Sequence, residues 1–366
     1  MRVLIVGAGP AGLSTALAIL DKSDITVTVV DEKKRIGEPQ RCAGGVSLWM
    51  LEKEKWVLPA HTVLADILKV RIYAPNNTYY EVKQTEKYGH VVDRVFLEQK
   101  MAENVESLKG TILLENQVTP SQLEVYRKGY NCIVGADGPC SVVRKWLCLP
   151  KLNDEDMHMG VQETLEMDSF PQDTIEIYFG EKVAPGGYAW IFPAGHNLVR
   201  IGLGVPSSRG WMAWGLLNSF IQRQVIGSEP ISRIAKLIPT TKTPKTGFFP
   251  PDVFLVGDAL PTTDPFTGGG IIQSMIAGKA LGEAIVKGDP LYYDRKIAWL
   301  RKQNNTRYRL KRVICGFADE DFNDLIESLK PFNLKSFSLG KELRRATLHL
   351  MFKKPRLFRK VLRGYI

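Results

Sequence analysis

The residues best placed for chemistry begin with a glycine-rich stretch, Gly7 to Gly12, which is followed at a distance by the acid Asp31. The spacing is G-x-G-x-x-G, in which Gly7 permits a tight turn and Gly9 lets the backbone approach a pyrophosphate. Gly12 lets a helix pack close, with its N-terminal N–H groups facing the phosphates. A carboxylate at Asp31 would accept hydrogen bonds from ribose hydroxyls. The pattern predicts that a dinucleotide binds here.

The elements that position this motif can be read from the flanking residues. The apolar run from Arg2 to Val6 predicts a buried parallel strand that ends at the glycines. Small and apolar residues from Leu13 to Leu20 predict a helix packed on a sheet, and Thr26 to Val30 predicts the strand before Asp31. Strand, turn, helix, strand and acid occur in the required order, which favours a binding site over a chance glycine-rich turn.

Two further glycine-rich stretches predict backbone brought close to a flat or charged group. One is Arg41 to Ser47, with the sequence R-C-A-G-G-V-S, and it precedes a helical run. The other is Pro265 to Ile272, where three consecutive glycines open a long helix. Glycine inside a structural helix is destabilising, so close approach of a ligand is the better interpretation. Acids also end two buried strands, at Asp137-Gly138 and at Gly257-Asp258.

Composition excludes several classes of protein. The chain has 366 residues, of which 44% are hydrophobic and 24% charged, as expected for a globular protein with a large core. No apolar run is long enough to cross a bilayer, and the first apolar residues are expected to form a strand rather than a signal peptide. The five cysteines include no C-x-x-C pair or metal-ligand cluster, which indicates reduced cytoplasmic thiols and no metal.

The positive charge is concentrated in the C-terminal segment. Residues 291–366 carry 19 Lys or Arg and 7 Asp or Glu, in a chain whose net charge is +10. Such a segment favours either nucleic acid or an anionic membrane as a partner. Near its end, one helical face is apolar and the other basic, formed respectively by Leu357, Phe358, Val361 and Leu362 and by Arg356, Arg359, Lys360 and Arg363. This helix lies on a membrane surface or packs on the body with a solvated basic face.

From about Met157 to Val205 the hydrophobic pattern has period two, which predicts antiparallel strands. A hairpin at Leu68 to Val82 is expected to join this second sheet, whereas Trp211 to Val225 and Ile231 to Ile238 read as helices. The predicted domains are 1–66, 91–155 and 245–290 for the nucleotide, 67–90 and 156–244 for the antiparallel sheet, and 291–366 for a basic helical region.

An aromatic strand lies inside the second sheet. Tyr188, Trp190 and Phe192 alternate within the stretch Pro185 to Pro193 and therefore share one face. These side chains either form ordinary core or line an apolar ligand tunnel.

Taken together, the motifs resemble the flavoprotein hydroxylase-type fold that binds FAD, over most of residues 1–290. The unit Gly7 to Asp31, the turn at Asp137-Gly138 and the strand end at Gly257-Asp258 carry this resemblance. Within that superfamily, Arg41-Cys42-Ala43-Gly44-Gly45 and the complete P-x-x-Y-x-W-x-F-P pattern of residues 185–193 resemble the geranylgeranyl reductase family. The resemblance implies an α/β fold with a Rossmann-like FAD-binding domain, an antiparallel-sheet substrate domain and a C-terminal helical segment.

Carried onto this sequence, the resemblance assigns FAD contacts to the glycine-rich loops and their neighbours. These residues are Gly7, Gly9, Ala11, Gly12, Asp31, Arg41, Cys42, Ala43, Gly45, Arg94, Val118, Asp258, Gly269, Gly270 and Ile271. The prenyl tunnel would be lined by Tyr188, Trp190 and Phe192. In the helix after Arg94, Leu97 and Glu98 replace the Phe and Asp of the family's R-x-x-F-D-like pattern, a mild departure.

The family saturates carbon–carbon double bonds of isoprenoid chains, and its archaeal members reduce geranylgeranyl chains of ether phospholipids. The resemblance implies hydride transfer from reduced FAD to an alkene of 2,3-di-O-geranylgeranylglyceryl phosphate. An isolated alkene has no carbonyl to polarise, so proximity and orientation in a dry pocket must lower the barrier. Cys42 is the best candidate for a catalytic residue.

No second G-x-G-x-x-G unit is present for a nicotinamide. The electron donor is therefore expected to visit transiently, as NAD(P)H, a reduced deazaflavin or a ferredoxin. A lipid substrate favours a membrane over nucleic acid as the partner of the basic segment. We thus expect a cytoplasmic protein associated peripherally with the membrane surface.

Three alternatives remain open from the sequence. A flavin-dependent monooxygenase or halogenase shares the fold, although halogenases carry W-x-W-x-I-P where this chain has Tyr188 and Phe192 at the outer positions. A non-catalytic prenyl-binding carrier, similar to the GDP dissociation inhibitors, would not need the intact glycine motif. Reduction of a quinone's prenyl tail would differ only in substrate.

Overall fold

The computed structural model describes residues 1–40, 42–83, 86–224, 229–332 and 349–365. Arg41 and residues 333–348 of the basic segment lie outside these ranges. Within the ranges, no helix combines the length and apolar character needed to span a bilayer.

The strands and helices follow one another along the whole chain. The strands are β1 (Arg2–Val6), β2 (Thr26–Val30), β3 (Gly45–Ser47), β4 (Val63–Ile67), β5 (Lys69–Tyr73), β6 (Tyr79–Lys83), β7 (Gly89–Val92), β8 (Thr111–Leu113), β9 (Cys132–Gly135), β10 (Met157–Glu166), β11 (Thr174–Tyr178), β12 (Tyr188–Pro193), β13 (Leu198–Pro206), β14 (Ser232–Pro239), β15 (Phe248–Phe249) and β16 (Val253–Leu255). The helices are α1 (Pro10–Leu20), α2 (Leu48–Glu54), α3 (Arg94–Ser107), α4 (Pro120–Gly129), α5 (Val142–Trp146), α6 (Ala213–Gln224), α7 (Ile271–Lys287), α8 (Pro290–Lys296), α9 (Ala298–Ile314), α10 (Asp319–Leu329) and α11 (Pro355–Tyr365).

The first sheet runs in the order β15-β16-β9-β1-β2-β8 and is parallel except at the β15 edge. Strand β1 pairs with β2 on one side and β9 on the other, and its residues from Val3 to Val6 are buried. Burial on both faces explains why this strand is a continuous apolar run. The glycine-rich loop after β1 and the acid after β2 therefore meet at the carboxyl edge of one sheet.

Helices α1 and α7 cross at very short distance because two glycines of α7 face α1. A Cβ on Gly278 would lie 2.4 Å from the carbonyl oxygen of Ala11, and one on Gly282 would lie 2.7 Å from that of Thr15. A larger side chain at either position would push the helices apart.

The second sheet runs in the order β14-β10-β13-β12-β11-β5-β6. It is antiparallel except that β5 pairs in parallel with β11, which brings the early hairpin beside the later strands. The predicted helix at Ile231 to Ile238 is wrong, because β14 pairs antiparallel along most of β10. Its apolar residues also fit helical spacing, so the long-range pairing decided the structure rather than local pattern.

A third, small sheet was not predicted. It runs in the order β3-β7-β4 and is antiparallel. Its strand β3 directly follows the Cys42–Gly44 loop and so anchors it. The backbone N–H of Val92 also donates to the carbonyl oxygen of Gly44 at 2.9 Å, which extends the pairing into the loop.

The amphipathic helix α11 packs on the body of the protein. Leu357 is 2% exposed, and Phe358 and Val361 pack into the same apolar cluster as Phe322 of α10. Of the two placements that the sequence left open for this helix, the structure has the second, in which these three side chains are covered by protein while Leu362 is 47% exposed.

Candidate functional site

A continuous cavity of about 1710 Å³ connects the loops of the first sheet to the space between the second sheet and the C-terminal helices. Among the predicted site residues, it is lined by Gly7, Gly9, Ala11, Asp31, Cys42, Ala43, Gly45, Arg94, Val118, Tyr188, Trp190, Phe192, Asp258, Gly269, Gly270 and Ile271. Gly12 does not line it, and Arg41 lies outside the described residues. The structure thus brings together three loops that are far apart in the sequence.

The Gly7–Gly12 turn is built by backbone contacts that leave one glycine open. Gly7 has a φ of 106°, and a Cβ on Gly12 would lie 1.9 Å from the carbonyl oxygen of Gly7. A Cβ on Gly9 would meet nothing within 4 Å. Gly9 also precedes the first turn of α1, which has no side-chain cap. The N–H groups of this turn are therefore available to phosphate oxygens.

Asp31 lies beside this turn and is 8% exposed. Its Oδ2 accepts a hydrogen bond from the Ala8 N–H at 2.7 Å, and its Oδ1 accepts one from the Lys33 N–H at 2.9 Å. Each carboxylate oxygen has a second lone pair for another donor. The residue is thus oriented by the backbone and can still accept ribose hydroxyls.

The Cys42–Gly45 loop is supported by Arg200 of β13, a residue that sequence reasoning missed. Arg200 is 5% exposed and donates to the carbonyl oxygens of Ala43 at 2.8 Å and Val92 at 3.1 Å. Burial lowers the pKa of its guanidinium. A charged residue in the middle of the apolar strand β13 was the available signal, because such a group is buried only with hydrogen-bond partners.

Cys42 itself is half-buried, and its Sγ accepts a hydrogen bond from the Gly44 N–H at 3.3 Å. Gly44 has a φ of 89°, which favours glycine. A Cβ on Gly45 would lie 2.8 Å from the ring of Phe192. The loop that carries the thiol therefore touches the aromatic strand of the second sheet.

Arg94 at the start of α3 forms an ion pair with Glu98, one turn further along the helix. The Glu98 side chain is fully buried and that of Arg94 is 15% exposed. Burial opposes the charge of Arg94, but Glu98 and other nearby charges outweigh this effect and raise the pKa of the guanidinium. Among the described residues, Oε2 of Glu98 has no hydrogen-bond partner. Glu98 is therefore a positioning residue that holds Arg94 at the cavity.

Asp258 lies opposite the N-terminus of α7. It accepts hydrogen bonds from Lys236 Nζ at 3.2 Å and from the hydroxyl of Thr263. Burial alone would raise the pKa of Asp258, but Lys236, Thr263 and Arg94 together lower it. Gly270 begins α7 without a side-chain cap, so this ionised carboxylate lies next to free helix N–H groups. Sequence reasoning did not identify Lys236 as a site residue, because the apolar residues of its strand, β14, also fit helical spacing.

These features fit a flavin dinucleotide. The open position at Gly9 and the uncapped start of α1 suit a pyrophosphate, and Asp31 suits a ribose. Asp258 offers a hydrogen-bond acceptor, and the N–H groups at the start of α7 offer donors, to another polar part of the same dinucleotide. Gly12 contributes indirectly, since its missing side chain lets α1 pack against the turn.

Tyr188, Trp190 and Phe192 form one wall of the cavity. In the antiparallel register, Gly204 of β13 lies opposite Tyr188 and Gly202 lies opposite Trp190. A Cβ on Gly202 would lie 2.6 Å from the Trp190 ring, so glycine makes room for it. The alternation predicted for this strand is present, and the three rings face the cavity rather than the core beneath the sheet.

Beyond this wall the cavity is mainly apolar. Its lining there includes Ile67, Val70, Ile72, Val82, Ile175, Ile177, Phe179, Phe317, Phe322, Leu325, Ile326, Leu329, Leu350 and Val361. These residues come from the second sheet and from the C-terminal helices. Such a lining suits a long hydrocarbon chain.

A buried polar cluster on the cavity wall was also missed. His158 Nδ1 lies 2.9 Å from Thr240 Oγ1, and its Nε2 lies 3.2 Å from the carbonyl oxygen of Gly186. A carbonyl oxygen only accepts, so Nε2 carries the proton and Nδ1 accepts from Thr240. Lys311 Nζ donates to Thr240 Oγ1 at 2.8 Å and thereby ties α9 to the second sheet.

We expect mild acid to destabilise the protein through His158. Burial, with a smaller contribution from Lys311, lowers the pKa of His158 from 6.5 to about 4. Between these two pH values the unfolded chain binds a proton that the folded chain does not, so stability falls as the pH falls through the window. From pH 7 to pH 5 this residue should remove about 2 kcal/mol of unfolding free energy.

Urea titrations of the wild type and of His158→Gln at both pH values would measure this contribution. The variant should lose about 2 kcal/mol less than the wild type on acidification. An equal loss in both proteins would contradict the prediction.

The fold defines the class of protein. The structure of a geranylgeranyl bacteriochlorophyll reductase-like protein from Thermoplasma acidophilum superposes with a TM-score of 0.84 at 19% identity, covering 99% of this chain and 98% of that one. A triple mutant of a flavin-dependent brominase superposes with a TM-score of 0.61 at 15% identity, covering 99% and 98%. The predicted fold class is confirmed, and the chain shares its α/β fold with this reductase-like protein and with a flavin-dependent brominase.

Sequence relatives then give the family. Digeranylgeranylglycerophospholipid reductase 2 of Methanococcoides burtonii is 31% identical over an alignment of 398 positions, which covers 100% of this chain and 97% of the relative. The model of the geranylgeranyl reductase catalytic domain matches residues 156–238, the segment that contains the aromatic strand. The chain belongs to the geranylgeranyl reductase family and is an oxidoreductase, as the motifs predicted.

Proposed function

We propose that the protein uses FAD to saturate double bonds in the geranylgeranyl chains of an archaeal ether phospholipid, 2,3-di-O-geranylgeranylglyceryl phosphate. The observation that carries the proposal is the continuity of the cavity, which joins the glycine-rich loops, the aromatic wall and the apolar section. A cofactor at the loops and a chain in the apolar section would therefore meet in one continuous cavity. The name of the Methanococcoides burtonii relative supports this choice of substrate.

The residues of the chain would divide the work between binding and orientation. Gly9 and the start of α1 would hold the pyrophosphate, Asp31 the adenosine ribose, and Asp258 with the start of α7 the ribityl and ring portion. When bound and reduced, the flavin supplies the hydride. The three rings of the aromatic wall would hold the alkene and exclude water, because an unpolarised double bond depends on close, fixed placement.

Electrons would come from a transient donor, namely NAD(P)H, a reduced deazaflavin or a ferredoxin. The protein would work at the cytoplasmic surface of the membrane that holds its lipid. Because Leu357, Phe358 and Val361 of α11 pack on the body, the support for this location is the apolar cavity and the basic C-terminal segment.

The test begins with the FAD-loaded protein, reduced with dithionite without oxygen. Addition of the lipid should reoxidise the flavin, and the lipid mass should rise by two hydrogens for each event. A flavin that stays reduced with the lipid but reacts quickly with air would instead support a monooxygenase or halogenase. A protein that cannot be loaded with flavin would refute the cofactor assignment.

Cys42 is the proposed catalytic residue, because its thiol lines the cavity on the loop that touches Phe192. We expect Cys42→Ala to slow lipid-dependent flavin reoxidation by about 100-fold, the loss typical of a removed proton donor. FAD content and the rate of reduction by dithionite should not change. Cys148→Ala, at an exposed position outside the cavity, is the matched control. Reoxidation by Cys42→Ala at the wild-type rate would exclude this role.

A further inference from the structure

Helix α9 presents two chemically different halves to the cavity. The first half contributes Trp299, Lys302, Gln303, Thr306 and Arg307, and the second contributes Leu310, Val313 and Ile314 together with Lys311, whose ammonium donates to oxygens of Glu155 and Thr240. From Lys302 to Ile314 the helix rises about 18 Å, at 1.5 Å per residue. One wall of the cavity therefore changes from polar to apolar over roughly the length of a lipid chain. This gradient matches a ligand with a polar end and a long hydrocarbon part.

The polar half carries positive charge that the described part of the chain leaves uncompensated. Helix α9 contains six Lys or Arg and no Asp or Glu. Arg307 is neutralised by Asp264, which is buried. Lys302 is exposed and forms no ion pair with any described residue. Lys53 of α2 adds a second cation, with its Nζ 3.2 Å from the centroid of the Trp299 ring.

Gln303 points to a ligand on independent grounds. Its Oε1 is buried, yet it has no hydrogen-bond partner among the residues that the structure describes. An unsatisfied buried acceptor costs free energy, which a hydrogen-bond donor of a ligand, such as the P–OH group of a singly ionised phosphate monoester, would recover. Because Lys302, Gln303 and Thr306 occupy neighbouring turns of one helix face, an ammonium, an amide and a hydroxyl are offered side by side. The ammonium and the hydroxyl can donate to phosphate oxygens, and the amide oxygen can accept from a P–OH group.

We propose that Lys302, Gln303 and Thr306 bind the anionic head group of the lipid, and that its isoprenoid chains extend from there along the apolar half of α9. The proposal takes the prenylated lipid as substrate from the proposed function. Lys302 and Thr306 line the cavity while remaining exposed, so the head group stays at the rim and its charge keeps part of its hydration. The orientation of the lipid in the cavity follows from this single contact.

The experiment measures equilibrium binding to the FAD-loaded protein, using digeranylgeranylglyceryl phosphate and the phosphate-free digeranylgeranylglycerol in the same detergent. The wild type should bind the phosphate lipid more tightly. Lys302→Glu should weaken binding of the phosphate lipid by at least about tenfold and change binding of the alcohol by less than about twofold. Lys302→Ala should show the same selectivity with a smaller effect.

Arg309→Glu is the matched control, because Arg309 is exposed on the same helix but does not line the cavity. It should leave both dissociation constants unchanged. Equal weakening of both lipids by Lys302→Glu, an equal effect of Arg309→Glu, or a wild type that is indifferent to the phosphate would each overturn the proposal. Because the readout is binding, a protein that recognises the phosphate without reducing the lipid would refute the proposed function and leave the head-group site standing.

Discussion

Replacement of Gly12 by alanine is expected to give a strongly destabilised protein that retains no flavin. The added Cβ would lie 1.9 Å from the carbonyl oxygen of Gly7, and that atom belongs to a turn with little freedom to move. Relief would require α1 to move away from β1, at a cost of about 3 kcal/mol or more. Urea denaturation of the apoprotein and the visible spectrum after reconstitution with FAD would measure the two effects.

Gly9→Ala separates binding from folding at the same turn. A Cβ on Gly9 meets nothing within 4 Å, so the variant should unfold at the wild-type urea concentration. The methyl group would project into the cavity at the expected pyrophosphate position, and FAD affinity should fall by at least about tenfold. Gly215→Ala, at an equally open position in α6, should leave FAD affinity unchanged and raise stability by up to about 1 kcal/mol. Wild-type FAD affinity in Gly9→Ala would show that the turn does not hold the pyrophosphate.

The second large loss of stability is expected from the substitution Glu98→Ala. Its side chain is fully buried against Arg94, so Glu98→Ala would leave a guanidinium in a poorly hydrated site without its partner. Removal of one member of a buried ion pair typically costs about 3–5 kcal/mol. Urea denaturation should be carried out on the apoprotein, because bound flavin would itself stabilise the folded state.

The double variant Arg94→Met with Glu98→Leu provides the control. With both charges removed, most of the lost stability should return, since similar hydrophobic residues often replace a buried pair at little cost. FAD affinity should nevertheless be lower than in the wild type, because Arg94 is absent. A double variant as unstable as Glu98→Ala would mean that loss of the ion pair is not the cause.

The parts of the site that sequence predicted are those with local causes. The unit from β1 to Asp31 depends on one turn, and the conformation of that turn determines the spacing of its glycines. Helix α7 starts at Ile271, directly after the three glycines that predicted its start. The aromatic strand was predicted because alternation alone assigns its three rings to one face. In each case the information lies within about thirty residues.

The parts that were missed depend on contacts between distant segments. Arg200 supports a loop that lies 157 positions earlier in the chain. Lys311 meets Thr240 across 71 positions, and strand β14 owes its conformation to pairing with β10 rather than to its own pattern. Local periodicity does not predict contacts between residues that are far apart in the sequence. Sequence reasoning therefore identified the cofactor loops more completely than the residues that support them.

The crossing of α1 and α7 has a consequence for how a cofactor is held. Because Gly278 and Gly282 bring backbone against backbone, the separation between the first turns of these two helices cannot be changed by any rotation of side chains. The distance between the starts of α1 and α7, which would both contact a bound dinucleotide, is therefore fixed when the chain folds. The conformational entropy of fixing this distance is lost on folding and not on ligand binding. Cofactor retention should then follow global stability closely, so that conditions which loosen this crossing release the cofactor in the same transition that unfolds the protein.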